Sequence, residues 1–154
     1  MKLVVARIGK GRTGWADEAC ADWQRRLVRR LPVEELLVAP EPFRGDVEAV
    51  RQAEAARLLD RVRPGDRLIA VDERGEAPTS EGFAAWIEGA AAAGTGRVVF
   101  ALGGPYGHGP LVRERAWKVM ALSSMVLNHE LARAVLFEQL YRASTLIWGG
   151  SYHH

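Results

Sequence analysis

The stretch "VVFALGGPYGHG", Val98–Gly109, passes from an unbroken apolar run into a loop that holds four of the chain's sixteen glycines. Such a run, rich in β-branched and aromatic residues and closed by glycines, reads as a buried strand. Pro110 follows where the first turn of a helix tolerates proline. A strand, a glycine loop and a helix in that order mark a place where α/β proteins bind ligands, outside the carboxyl end of a strand. Yet the loop fits neither standard phosphate cradle. A P-loop would continue with Lys and Ser/Thr, and here Pro110 and Leu111 stand instead. A dinucleotide fingerprint belongs to the first strand-to-helix turn, whereas this loop follows strand four of five. Gly103 and Gly104 permit close backbone approach to a ligand or to another chain segment. A plain turn and a ligand loop both remain open.

Working outward, the spacing predicts strands over Lys2–Ile8, Val33–Val38, Arg67–Val71, Arg97–Ala101 and Trp117–Leu122. Helices are predicted over Trp15–Leu31, Asp46–Val62, Ser80–Ala93 and Pro110–Arg115, with a last helix capped by Asn128 and reaching Thr145. Mostly apolar strands alternating with helices imply an α/β fold with a parallel sheet covered on both faces. With 154 residues the chain suits one domain, 1–154. No segment approaches the roughly 18 apolar residues of a membrane span. No signal-peptide layout opens the chain, since Arg7 and Lys10 follow its short apolar run. Cys20 is the single cysteine, which excludes an internal disulfide and a cysteine metal cluster. A cytoplasmic location is the expectation. The formal net charge of +2 decides nothing, but "WQRRLVRRL" clusters Arg25, Arg26, Arg29 and Arg30. That block is either a solvated helix face or an RNA-phosphate track.

Three successive strand ends carry suggestive residues: Val71–Asp72, Gly103–Gly104, and "LSSMVLNH" over Leu122–His129. The third is long and mostly apolar for a loop, so it is expected to be buried against something flat and partly apolar. An adenine, a thioether or the remaining core would each serve.

Taken together, "LGGPYGHG", "LSSMVLNH", "ELARAVLFEQLYRA" and the ending "SYHH" resemble the ribosomal RNA large subunit methyltransferase H family. "MKLVVARIGK" and "DRLIAVDERGE" extend the likeness over the whole chain. The resemblance implies a small SPOUT enzyme whose parallel sheet has a C-terminal trefoil knot. It implies S-adenosyl-L-methionine as cofactor, a homodimer, and methylation of a pseudouridine at N3 in a hairpin loop of 23S rRNA on the assembled ribosome. By position, the cofactor site would use Val71, Gly103, Gly104, Leu122, Ser123, Ser124, Met125, Val126 and Leu127. Two departures stand out. Asn128 replaces the proline that usually precedes the helix-opening histidine, and His154 stands where the tail commonly has a basic residue.

A methyl acceptor nitrogen must be positioned and lose a proton, which calls for a base or a positive field nearby. The candidates are His129, Arg142, Tyr152 and His153, with Arg133 and Glu138 near them. His129 opens the last helix, where the helix dipole disfavours a cation. Arg142 follows Glu138 by four residues, so an ion pair within the helix competes with a contact to RNA or to a partner's tail. Trp148 and Tyr152 make the tail aromatic on either side of Gly149–Gly150, as base stacking would require. The last helix looks apolar nearly all round, which points to a dimer interface. No metal site is expected, since adjacent histidines rarely make one.

Overall fold

The computed structural model describes residues 1–11 and 14–152. Its strands are β1 (Lys2–Ile8), β2 (Val33–Val38), β3 (Arg67–Glu76), β4 (Arg97–Leu102) and β5 (Lys118–Met120). They form one sheet in the order β2-β1-β4-β3-β5, and every adjacent pair runs parallel. β4, the strand that opens into the glycine loop, is therefore central. It pairs with β1 from Lys2↔Arg97 to Arg7↔Leu102 and with β3 from Arg67↔Val98 to Val71↔Leu102.

Because side chains alternate across a strand, β4 feeds two cores. Val98, Phe100 and Leu102 pack with Leu3, Val5 and Ile69 under one helical layer. Val99 and Ala101 pack with Val4, Ala6, Leu68 and Ala70 under the other. The first layer holds α1 (Gly14–Leu27), α3 (Ser80–Ala92) and α5 (His129–Trp148). The second holds α2 (Val47–Leu59) and α4 (Pro110–Arg115). Caps set the starts: Asp46 accepts from Glu48 and Ala49 N–H, Thr79 from Gly82 N–H, and Asn128 from Glu130 N–H.

The structure corrects two expectations. The first helix ends at Leu27 rather than Leu31, because the chain turns there and Leu31 N–H bonds back to the Leu27 carbonyl at 3.0 Å. β3 does not stop at Val71 but continues through "DERGE" to Glu76, bulging so that Val71 and Glu76 both face Met120. Gly75 makes this possible, since a Cβ there would lie 2.5 Å from the main chain of Val119 and Met120. One face of α5 is buried within the chain, while Leu131 and Trp148 stay exposed. α1 and α3 flank it, and Leu136, Phe137, Leu140 and Ala143 are buried within the chain.

Candidate functional site

The glycine loop leaves β4 and closes on itself: Gly107 N–H bonds to the Gly104 carbonyl at 2.9 Å, and Gly107 takes φ +71°. A Cβ on Gly103 would approach the main chain of Gly107 to 3.0 Å. A Cβ on Gly104 would lie 2.9 Å from Glu54 Oε2. Of the two uses open to these glycines, close packing against the chain itself is thus present. His108 anchors the loop from below. It is buried, with Nε2 2.9 Å from the Ala101 carbonyl, and burial holds its imidazole below the usual histidine range.

Above the loop lies a cavity of about 680 Å³, the size of a small-molecule or cofactor site. Three segments build most of it: Val71–Arg74 from the end of β3, Leu102–His108 from the end of β4, and the stretch entering α5, with Arg51 of α2 added at its edge. The three strand ends singled out in the sequence therefore do converge. Val71, Gly103, Gly104, Leu122, Ser123, Met125, Val126 and Leu127 all line it, with His129 beside them. Ser124 is exposed and does not. The stretch from Leu122 is less buried than expected. Met125 is 73% and Val126 77% exposed, because no element of the chain covers them.

Asp72 and Arg113, which the sequence reading did not pair, brace the cavity floor. Arg113 Nη1 donates to Asp72 Oδ2 at 3.1 Å and to the His108 carbonyl at 2.8 Å. Forty-one positions separate Asp72 from Arg113, so no local pattern announces the pair. Arg133 is a structural residue here. Buried, it makes paired hydrogen bonds to Glu35 at 2.6 and 2.8 Å and another to Asp17 at 2.5 Å. Burial alone would lower its pKa, but the bonds to Glu35 and Asp17 prevail and raise it. His129 joins this network at its edge, with Nε2 3.6 Å from Glu130 Oε1.

Arg142 and Tyr152 are gathered elsewhere. Glu138 Oε1 accepts from Arg142 Nη2 at 2.6 Å and from Tyr152 Oη at 3.0 Å, so the ion pair within the helix exists. The Tyr152 ring sits 5.0 Å from Tyr141 and 5.5 Å from Trp23. Burial first, then the Glu138 bond, raises the Tyr152 phenol above its ordinary range. Arg30 holds the tail by donating to the Gly149 carbonyl at 2.5 Å. Arg25 and Arg26 pair with Asp22. Much of the arginine block thus has partners within the chain. Arg142 lies thirteen residues beyond His129, about 20 Å along the helix. His153 and His154 lie outside the described residues. Among the described residues, no group of three or more His, Cys, Asp or Glu could hold a metal ion, and no helix is long and apolar enough to cross a membrane.

A parallel sheet with a cavity-forming glycine loop after its central strand belongs to a known class. The family model described as "Predicted SPOUT methyltransferase" matches residues 1–153, and the chain belongs to that family of S-adenosylmethionine-dependent methyltransferases. Within it, the chain falls in the ribosomal RNA large subunit methyltransferase H family. It is 38% identical over 156 residues to the member of that name from Cytophaga hutchinsonii, covering 100% of both chains. It is 39% identical over 156 residues to that from Trichlorobacter lovleyi, again covering 100% of both. In fold it is similar, at a TM-score of 0.44 and 15% identity, to the SpoU methyltransferase AviRb of Streptomyces viridochromogenes, solved in complex with AdoMet. That likeness covers 97% of this chain and 61% of the other.

The residues suit the methyl donor. Val71, Leu102, Leu122 and Leu127 offer apolar surface for a flat heterocycle. Among the main-chain N–H groups of Leu122–Leu127, that of Met125 bonds to Ser123 Oγ at 3.0 Å, and the others make no hydrogen bond to the described residues. Backbone groups beside apolar walls can pair with the edge of an adenine while its faces stay dry.

Proposed function

We propose that this chain methylates N3 of a pseudouridine in a hairpin loop of 23S rRNA on the assembled ribosome, in the cytoplasm and as a homodimer. The observation that carries the reading is the full-length identity to relatives named as ribosomal RNA large subunit methyltransferases. They are joined by a cavity of cofactor size whose walls come from the same three segments that the resemblance assigns. S-adenosylmethionine supplies an electrophilic methyl group to which the acceptor nitrogen bonds as the carbon–sulfur bond breaks. The chain's part is to hold that nitrogen in line and to accept its proton. His129, which lines the cavity and opens α5, would serve the second task. The same reading takes the C-terminal part as a trefoil knot, in which the loops around Gly103 and Leu122 enclose the donor.

The separation of Arg142 and Tyr152 from the cavity of their own chain supports a site shared between two copies. One copy would supply Val71, the glycine loop and Leu122–Leu127, with Ser124 at the rim. The other would supply Arg142, Tyr152 and His153. Exposed Met125, Val126 and Leu131 would be covered by the second copy. Mass mapping of rRNA from a strain lacking this chain tests the substrate. The expected result is loss of one methyl group from a pseudouridine of 23S rRNA, restored by the wild-type chain. A methyl group lost from another RNA would identify a SPOUT enzyme of different specificity, and no loss at all would favour an inert ribosome-binding module.

A further inference from the structure

Phe43 and Tyr106 come from different loops and meet at the rim of the cavity. Their ring centroids are 5.5 Å apart and their planes are inclined by 33°. Phe43 follows β2 in the segment leading to α2, and Tyr106 belongs to the glycine loop. This is not a core contact, since Phe43 remains 54% and Tyr106 36% exposed. Positive charge flanks the pair. Arg51 lines the cavity and donates from Nε to the Tyr106 carbonyl at 2.8 Å. Arg44 directly follows Phe43, is exposed, and makes no ion pair among the described residues. The acids close by in sequence are engaged, Glu41 with Arg57, Asp46 in capping α2 and Glu48 with Arg51 at 3.8 Å.

We infer that the Phe43–Tyr106 pair is a stacking platform for the base next to the methylated one, with Arg44 and Arg51 placed for its phosphates. The inference rests on the RNA reading above. A base drawn into the cavity leaves its neighbour unstacked. An exposed aromatic pair at the rim restores that stacking without reading sequence, because every base has a π-face. Rings flanked by guanidinium groups offer a nucleic acid both a stacking face and phosphate contacts. The aliphatic Met125 and Val126, on the wall segment entering α5, lack that chemistry.

The test uses the full-length protein with ribosomes from a strain lacking it, and Phe43→Ala, Phe43→Trp and Arg44→Ala variants. Phe43→Ala is expected to raise KM for ribosomes roughly tenfold, with the dissociation constant for S-adenosylmethionine unchanged by calorimetry. Phe43→Trp, which keeps a ring, should stay near wild type. Arg44→Ala should lower the salt dependence of binding by about one unit of slope. An unchanged KM for Phe43→Ala overturns the platform. So does a parallel loss of cofactor affinity, which would make the pair a brace for the glycine loop, or a changed oligomeric state, which would make it a contact between copies. Binding of a uridine-rich single-stranded oligonucleotide, read by fluorescence anisotropy, separates failure of the platform from failure of the ribosomal reading. It needs no methylation, and equal affinity of wild type and Phe43→Ala for that probe overturns the platform on its own.

Discussion

Glu54 shows how one residue bears on the glycine loop. Its Oε1 accepts from Glu41 N–H at 3.1 Å, while Oε2 is buried without a hydrogen-bond partner among the described residues, close against Gly104. Burial pushes the carboxyl above the usual carboxylate range, against the Glu41 N–H, which favours the anion. The folded chain therefore binds this proton more tightly than the unfolded chain does. The resulting stabilisation is complete below the ordinary carboxylate pKa and is lost as pH rises through the raised folded value. Glu54→Gln keeps the shape and removes the titration. Urea unfolding should show the wild type losing stability relative to Glu54→Gln as pH rises from the ordinary carboxylate pKa through the raised folded value. A difference that stays flat with pH would mean that the fold does not favour the protonated acid.

At the scale of elements, α5 joins the most legible features to the least. Its start was readable because Asn128 is a strong cap, and its core face because Leu136, Phe137 and Leu140 repeat at helical spacing. Its ionic anchor was not readable, since Arg133 and Glu35 lie ninety-eight positions apart and only the fold brings them together. The same reason hid the continuation of β3. "DERGE" has the composition of a turn, and Gly75 belongs to a strand only because β5 passes close beside it. The cavity walls were legible from strand ends, which collect ligand sites in parallel sheets. The exposure of Met125 and Val126 was not, because apolar composition alone does not say which molecule does the covering. Arg133→Ala would leave Glu35 with Arg7 as its remaining ion-pair partner. Loss of one partner of a buried pair costs about 3 kcal/mol, which should appear as a lower urea midpoint at unchanged slope. An unchanged midpoint would show that Arg7 compensates fully.

The whole molecule raises the question of whether one copy can act alone. Its tail packs on Trp23 and Tyr141 of its own chain, about 20 Å along α5 from His129. Mixing Gly103→Val subunits with Tyr152→Ala subunits decides the matter. If cavity and tail act across the dimer, a mixed dimer carries both lesions at one site and leaves the other site whole, so activity returns. If they act within one chain, each site is damaged and the mixture stays inactive. The order of the sheet also sets a sequence in time. Lys2–Arg7 finds its central neighbour only at Arg97–Leu102, so the first strand synthesised waits for the fourth before the sheet can close. Pairings this distant slow folding and prolong the exposure of apolar strands. The walls around Leu122 come later still. During synthesis the cavity wall around Leu122 emerges only after the first four strands, and α5, which completes the core under one face of the sheet, follows it.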